Sequence, residues 1–337
     1  MVKTLGSILS AATTLTALGV ITAAWIGSTR LIVPNRPALE PRHFEVLSDP
    51  SDHGMALESI ESKTHDGFVL KGFLVTKSPS MGLAAQTREM MSRLGGREVS
   101  PKATPRGTIF LLHGRGGRKE DMLWIAKRFV AADFRCLVYD SRAHGQSEGD
   151  HCTYGKDEVR DLQSLITKTS NHLSTRSESI GPVGLFGVSL GAAVALQASD
   201  LDAVGAVVAV SSFSSLSEVV TYSGRKLIHR HLPDPFIQAA LSLGGWRADF
   251  YPSASSPLSA LIKVDTPLFL VHGERDGVIP ISHGRRLFEA SRSDRKSWNP
   301  IPEGEHGNVL ATGGDDLYEK MILFYLETLT LQGVGTT

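Results

Sequence analysis

Ser189 stands at the centre of the pentapeptide GVSLG, which begins at Gly187 and ends at Gly191. An apolar run from Val183 to Phe186 precedes it, and a run of small residues follows it. This pattern is typical of a nucleophile elbow, a strand-to-helix turn so sharp that the central serine is strained and its side chain is exposed. Gly187 and Gly191 suit the turn because a Cβ atom there would collide with the neighbouring strand or helix. We therefore interpret Ser189 as a nucleophile for acyl transfer.

A serine nucleophile needs a base that takes its proton and an acid that orients the base. We predict His306 as the base, in preference to His272 and His283, because it lies in a glycine-flanked loop with the freedom that a general base needs. Asp276 is the predicted acid, with Glu274 as its rival. Asp276 follows a predicted strand, and open α/β sheets build their sites at the carboxyl ends of strands.

The tetrahedral intermediate of acyl transfer needs two N–H donors, which form an oxyanion hole. The backbone amide of Leu190, directly after the nucleophile, is the first predicted donor. The amide of Arg115, in the loop after the predicted strand 108–112, is the second, and Gly114 lets the backbone approach the ligand closely. Plain turn formation is the alternative for the loop glycines. The Arg115 side chain is either exposed to solvent or attracts an anionic substrate.

Apolar runs alternate with helical patterns along the chain, and the Asp66-Gly67 pair between two of these runs predicts a hairpin. Strands are predicted at 56–62, 68–76, 108–112, 135–139, 183–186, 204–210 and 267–272, and helices at 119–132, 157–166, 281–291 and 315–331. This order predicts an α/β fold with a mostly parallel central sheet and helices on both faces. The predicted catalytic domain covers residues 56–332, with an insertion at about 78–105 and a helical lid at about 211–263.

The composition excludes several other classes of protein. Lys plus Arg and Asp plus Glu number 35 each, so the formal net charge is zero. The chain has no basic stripe or aromatic-interleaved patch, which argues against nucleic-acid binding. Two cysteines, Cys136 and Cys152, cannot form a disulfide scaffold. CxxC and HExxH motifs are absent from the sequence, so no zinc site is predicted. The triad mechanism requires no cofactor.

The first thirty residues differ from the rest, because no charged residue lies between Lys3 and Arg30. As a helix, such a run crosses a hydrocarbon core of about 30 Å, and Trp25 falls at the interfacial level. We predict a single-pass N-terminal membrane anchor over residues 1–30 and a proline-containing linker over residues 31–55. A cleaved signal peptide, with secretion, is one alternative, and a buried soluble helix is another. Arginines after the span favour a cytoplasmic catalytic domain, and the membrane face stays open.

Together these residues resemble the α/β-hydrolase superfamily over about residues 56–330, in which the triad order is serine, acid, histidine. The stretch from Tyr139 to Gly149 is similar to the turn after the family's fourth strand. The resemblance implies that Asp140 and Arg142 hold loops near the oxyanion hole. Ala143 replaces a glycine that is common there. Two prolines shortly before His306 predict a short strand or an edge strand.

The anchor, the linker, the two-stranded entry and the lid resemble most the membrane-anchored, Bem46-like branch of that superfamily. The resemblance implies a serine esterase, lipase or thioesterase with a small-molecule or lipid acyl ester as substrate. A serine aminopeptidase on the same fold is one alternative, although no acidic cluster near the lid would bind a substrate amine, and a non-catalytic binding module is another. Seven apolar residues either line an acyl pocket or form the core of the lid: Leu216, Val219, Leu227, Ile228, Phe236, Leu241 and Trp246.

Overall fold

The computed structural model describes residues 19–78, 104–227 and 233–329. Eight strands form a single sheet: β1 (Met55–Lys63), β2 (Val69–Lys77), β3 (Thr108–Leu112), β4 (Arg135–Tyr139), β5 (Val183–Val188), β6 (Val204–Val210), β7 (Leu268–Gly273) and β8 (Lys296–Ile301). Their order is β1-β2-β4-β3-β5-β6-β7-β8. The β1–β2 and β2–β4 pairs are antiparallel, and every later pair is parallel. The predicted hairpin and the mostly parallel sheet are confirmed.

Helices connect these strands and cover both faces of the sheet. They are α1 (residues 19–32), α2 (Pro41–Ser48), α3 (Leu123–Ala131), α4 (Lys156–Ser174), α5 (Leu190–Gln197), α6 (Leu216–Leu227), α7 (Asp234–Arg247), α8 (Pro257–Leu261), α9 (Ile281–Ala290) and α10 (Val309–Leu329). The predicted lid segment therefore consists of α6, α7 and α8, between β6 and β7. The predicted insertion at 78–105 lies almost entirely outside the described residues.

The two faces of the sheet carry separate hydrophobic cores, as the continuous apolar pattern of β3 requires. Ile109 and Leu111 point to one face, where they join a cluster with α3 and α10. Phe110 and Leu112 point to the other face and join a cluster with α4, α5 and α9. Alternate residues of a strand point to opposite faces, so one five-residue strand serves both cores. Because both faces of β3 are buried, the position of the sheet edge that carries the candidate site is fixed.

The predicted boundaries of three helices were wrong. Helix α4 continues beyond Ile166, because Thr169 and Leu173 extend its buried stripe at helical spacing. The predicted helix 119–132 begins as a 3₁₀ turn over Lys119–Met122. The last helix begins at Val309 rather than at residue 315. Gly314 interrupts it with φ 58°, a left-handed conformation that glycine adopts readily.

The N-terminal segments are attached to the catalytic domain. The predicted linker 31–55 is not extended along its length, because Pro41 begins helix α2, a position where proline is favoured. The Arg36 guanidinium donates hydrogen bonds to the carbonyl oxygens of Gly145, Ser147 and Gly149, in the turn after β4. Within the described part of the chain, no helix is both long and apolar enough to cross a membrane. Residues 1–18 of the predicted anchor lie outside that part.

Candidate active site

Ser189 occupies a sharp turn between β5 and α5. Its backbone has φ 55° and ψ −115°, a strained conformation for a residue with a side chain. A Cβ atom on Gly191 would lie 2.2 Å from the Leu112 carbonyl oxygen, and one on Gly187 would lie 2.3 Å from the Gly191 carbonyl oxygen. Both glycines are therefore required for the close approach of β5, α5 and β3. The backbone N–H of Ser189 donates to the Val210 carbonyl oxygen at 2.8 Å, which fixes the turn to β6.

His306 lies in the loop between β8 and α10, and its ring reaches the serine. The Nε2 atom lies 3.0 Å from the Ser189 Oγ atom, so it can accept the hydroxyl proton. The side chain is 22% exposed, which leaves room for a substrate beside it. The Asn308 side chain accepts a hydrogen bond of 2.7 Å from the Glu305 N–H and steadies the loop. The edge strand β8 accommodates Pro300 in register with His272 of β7, in agreement with the predicted edge position.

Asp276 lies in the loop after β7, and its carboxylate is fully buried. Its Oδ2 atom accepts a hydrogen bond of 2.8 Å from the His306 Nδ1 atom. Its Oδ1 atom accepts hydrogen bonds of 2.9 Å from the Val278 N–H and of 2.8 Å from the Ile279 N–H. Burial alone would raise the pKa of this carboxyl. The hydrogen bonds from His306 and from the two amides outweigh burial, so the pKa lies below its usual value. The carboxylate form therefore faces the imidazole.

The rival candidates have other roles in the structure. The His272 ring is buried, which lowers its pKa, and its Nε2 atom donates to the Ile279 carbonyl oxygen at 2.8 Å. His283 is buried on α9, its pKa is lowered to about 4 by burial first and by Arg286 next, and its Nδ1 atom lies 2.9 Å from the Ser214 hydroxyl. Glu274 is exposed to solvent. The geometry therefore groups Ser189 with His306 rather than with these side chains.

The two predicted oxyanion donors belong to segments of the chain that lie next to the serine. Leu190 is the first residue of α5, so its N–H has no carbonyl partner within the helix. A Cβ atom on Gly114 would lie 3.4 Å from the Ser189 Cβ atom, which shows that the loop after β3 packs against the nucleophile. The Gly117 N–H donates to the Gly114 carbonyl oxygen at 2.9 Å and closes a tight turn around Arg115. The structure thus places Leu190 directly after the serine, and it places the loop that carries Arg115 against the serine.

A buried ion pair between Asp140 and Lys119 supports the loop after β3. The Asp140 carboxylate, fully buried, accepts hydrogen bonds from the Lys119 N–H at 2.7 Å, the Lys119 ammonium at 2.8 Å and the Gln146 N–H at 2.9 Å. Ala143 has φ 62°, a left-handed conformation in which glycine is favoured. The glycine that the family resemblance predicts at this position would adopt this conformation without strain. The predicted supporting role of Asp140 agrees with these contacts.

In the described ranges, one group of side chains has the spacing of metal ligands. Arg142 is bonded to this group. His65, Asp66 and Asp161 bring ligand atoms within 4.8 Å of one another. The Arg142 guanidinium bonds the carboxylates of Asp66 at 3.0 Å and Asp161 at 2.7 Å. A fixed cation of the chain is therefore already bonded to both carboxylates of this cluster.

The Arg115 side chain caps helix α1, a contact that sequence reasoning missed. Its guanidinium donates to the carbonyl oxygens of Arg30 and, at 3.0 Å, of Val33. The Tyr154 hydroxyl donates to the Leu31 carbonyl oxygen at 2.7 Å, and the Cys152 N–H donates to the Ile32 carbonyl oxygen at 2.8 Å. The last four carbonyls of a helix have no partners within it. Here Arg115, Tyr154 and Cys152 supply them, so α1 is bound to the loop after β3 that carries Arg115.

Arg115→Ala is expected to lower the free energy of unfolding by about 1 kcal/mol, since it removes hydrogen bonds from a charged donor at a partly exposed helix end. Denaturant titration measures this change. Arg160→Ala, which removes an exposed arginine of α4, is the matched control and should stay within about 0.5 kcal/mol of the parent protein. Equal effects of the two substitutions would contradict the capping role.

Two cavities lie between α6 and α7. The larger, of about 620 Å³, is lined by side chains of α6 and by Gln238, and it includes Lys226, whose ammonium donates to the Gly277 carbonyl oxygen beside Asp276. The smaller, of about 470 Å³, is lined by Leu241 and Trp246 among others. Of the other apolar lid residues, Leu216 and Val219 are buried in the core, and Phe236 is exposed. The Leu227 side chain and residue 228 lie outside the described part.

Comparisons with known proteins agree with this architecture. The family described as "Serine aminopeptidase, S33" matches residues 103–241. The uncharacterized protein YqkD of Bacillus subtilis is 30% identical over 245 residues, which cover 69% of this chain and 75% of the relative. The protein bem46 of Schizosaccharomyces pombe is 22% identical over 322 residues, which cover 94% of this chain and 91% of the relative.

Two further similarities concern proteins named for ester hydrolysis. The monoglyceride lipase of Rattus norvegicus is 32% identical over 108 residues, which cover 31% of this chain and 33% of the relative. The solved structure of an esterase from Pyrococcus furiosus aligns with a TM-score of 0.65 at 17% identity, covering 89% of this chain and 99% of the esterase. At that identity, the structural likeness shows a shared fold.

Proposed function

The chain belongs to the α/β-hydrolase family and is a serine hydrolase acting on ester bonds, and on that premise we propose that it cleaves carboxylic esters or thioesters through the triad Ser189, His306 and Asp276. One observation carries the proposal. The His306 ring bridges the other two side chains, with Nε2 at 3.0 Å from the serine Oγ atom and Nδ1 at 2.8 Å from the Asp276 Oδ2 atom. This arrangement supports proton transfer from the hydroxyl to the imidazole.

In the proposed mechanism, the Ser189 Oγ atom attacks the acyl carbonyl carbon while His306 Nε2 takes the hydroxyl proton. The Asp276 carboxylate keeps the other ring proton on Nδ1 and stabilises the imidazolium that forms. The amides of Leu190 and Arg115 donate to the oxyanion of the tetrahedral intermediate. His306 then protonates the leaving alcohol or thiol, and an acyl-enzyme remains. Water, deprotonated by the same imidazole, attacks this ester and releases the acid.

A serine aminopeptidase is the second candidate, favoured by the description of the matching family. Such an enzyme needs a free carboxylate that binds the substrate amine. In the described part of the predicted lid, each acidic side chain is paired with a basic one: Glu218 with Arg286, Asp234 with Arg225, and Asp249 with Lys156. These pairs favour hydrolysis of esters over hydrolysis of aminoacyl amides. A non-catalytic binding module would not need the serine–imidazole–carboxylate alignment.

A substrate panel tests the proposed function. We expect the protein to hydrolyse p-nitrophenyl esters and acyl thioesters of graded chain length, and to cleave aminoacyl amides at least about a hundredfold more slowly in kcat/KM. A fluorophosphonate probe should label a single peptide, and mass spectrometry should assign the label to Ser189. Preference for aminoacyl amides would establish the second candidate instead. An absence of both labelling and turnover would refute both enzymatic readings.

We also propose that residues 1–30 attach the protein to a membrane. The absence of charge between Lys3 and Arg30 supports this, and so does the uncharged exposed surface of α1 over residues 19–29. The lid helices α6 to α8 are proposed to cap the site, because their segment connects β6 to β7 at the edge of the sheet where Ser189 lies. The face of the membrane on which the catalytic domain lies is left open.

A further inference from the structure

Helices α1 and α7 pack against each other through small residues. A Cβ atom on Gly27 would lie 3.1 Å from the Ala240 Cβ atom, and one on Gly244 would lie 3.2 Å from the side chains of Leu31 and Ile32. Ala240 and Gly244 are one helical turn apart, the spacing at which small residues let two helix backbones approach closely. The lid helix α7 therefore rests directly on the N-terminal helix.

Arg247 fastens the two helices at the end of α7. Its guanidinium donates to the hydroxyls of Ser28 at 2.7 Å and Thr29 at 2.6 Å, and it stacks over the Trp25 ring at 3.9 Å from the ring centroid. With the carbonyl end of α1 held by the loop after β3, α1 joins the lid to the candidate site.

The outer face of this pair is apolar and exposed. On α1, Ile21 is 63% exposed and Trp25 is 52% exposed; Trp246 at the end of α7 is 78% exposed, and Tyr251 just beyond it is 81% exposed. Neither residues 19–29 of α1 nor residues 235–246 of α7 include a charged side chain; the charges that flank this face are Arg247, which lies over Trp25, and Asp249, which is paired with Lys156. Helices that face water normally carry charges on their outer side. An uncharged exposed face of this kind marks an interaction surface.

The sequence that leads into this face indicates its occupant. Residues 4–18, directly before α1, also contain no charged residue. The chain therefore reaches the face from a segment that is itself compatible with hydrocarbon. Tryptophan and tyrosine are enriched where a bilayer meets water, because their rings combine an apolar body with a polar group. The exposed aromatic residues here include two tryptophans and one tyrosine, which fits a lipid surface.

We propose that the α1–α7 face lies on a lipid bilayer and that the site receives its acyl ester from the lipid. The inference rests on the proposed function and deepens it, since it assigns a membrane-dissolved ester as the substrate class. A soluble enzyme would require the apolar acyl chain to pass through water, which is unfavourable. When the cap lies on the bilayer, the chain can pass from the lipid to the site without that step.

A dye on α7 tests the contact without reference to catalysis. Cys136 and Cys152 are buried, so a cysteine introduced at the exposed residue Ala239 can be labelled selectively with nitrobenzoxadiazole. In the full chain in phosphatidylcholine vesicles, we expect dye fluorescence at position 239 to rise and to be quenched by doxyl-labelled lipid. The same dye on Ser174→Cys, at the exposed end of α4, should stay accessible to aqueous iodide.

Equal iodide quenching at positions 239 and 174 in vesicles would overturn the bilayer contact. Protection of position 239 in detergent, rising with protein concentration, would instead identify a second copy of the chain as the occupant and would also overturn the proposal. Neither result depends on ester turnover.

Activity gives the second readout. Ala239→Glu places a charge on the outer face, away from the triad, and is expected to lower turnover of a long-chain ester in vesicles about tenfold. Turnover of a short water-soluble ester should stay unchanged, and Ser174→Glu should affect neither substrate. Equal turnover of the vesicle ester by Ala239→Glu and the parent protein would overturn delivery from the lipid. No turnover of any ester by the parent protein would refute the proposed function, while the dye would still report on the contact.

Discussion

Ser189→Ala is expected to abolish labelling by a fluorophosphonate probe and to lower kcat for short p-nitrophenyl esters by a factor of about 10³ to 10⁶. The substitution removes the Oγ atom that lies 3.0 Å from the His306 ring. No covalent intermediate can then form, and only the oxyanion donors and substrate binding remain to assist a direct attack by water. Labelling is followed by gel fluorescence, and turnover by absorbance of the released nitrophenolate.

The control for this experiment is Ser174→Ala, which removes an exposed hydroxyl that donates to the Ser170 carbonyl oxygen within α4. It should keep the labelling and the kcat of the parent protein. A circular dichroism melt of both variants separates loss of chemistry from loss of fold. Undiminished labelling of a folded Ser189→Ala protein would remove this serine from the proposed role.

The grouping of the three side chains could be predicted from the sequence because the chain pattern implies a parallel sheet. Ser189, Asp276 and His306 each follow a strand, β5, β7 and β8, and the carboxyl ends of parallel strands meet at one edge. The serine and the histidine are 117 residues apart, and the acid and the histidine are 30 apart. A topological rule, rather than local spacing, brings them together.

The cap on helix α1 could not be predicted in the same way. The Arg115 guanidinium reaches carbonyl oxygens that are 85 and 82 residues away in the chain. Backbone carbonyls carry no side-chain signature, so nothing in the sequence identifies Arg30 and Val33 as its partners. The sequence suggested solvent or an anionic substrate for this side chain; the structure leaves it exposed to solvent and also bonds it to a helix end.

The packing of α1 on α7 could be predicted only in part from the sequence. The apolar, uncharged character of residues 19–29 is visible in the sequence and led to the predicted anchor. Small residues such as Gly27 and Gly244 are common throughout the chain, so their pairing becomes visible only when the helices are placed together. Periodicity identifies helices, whereas the choice of which helix contacts which depends on tertiary packing.

Asp276→Asn is expected to lower kcat by a factor of about 10⁴ while the fold is kept. The Oδ1 atom accepts hydrogen bonds from the Val278 and Ile279 amides, so the asparagine carbonyl oxygen takes that position. Its NH₂ group then faces the His306 Nδ1 atom, which must become an acceptor. The ring proton moves to Nε2, the atom that faces the Ser189 hydroxyl, and the imidazole can no longer take the serine proton.

The matched control is Glu274→Gln, the same chemical change at the exposed rival acid two residues away. It should leave kcat within about twofold of the parent value, because solvent screens the charge of an exposed side chain. Steady-state kinetics on a short ester, with a thermal melt of each variant, measures both outcomes. Parent-like kcat in Asp276→Asn, or a large loss in Glu274→Gln, would show that the buried carboxylate does not set the tautomer of His306.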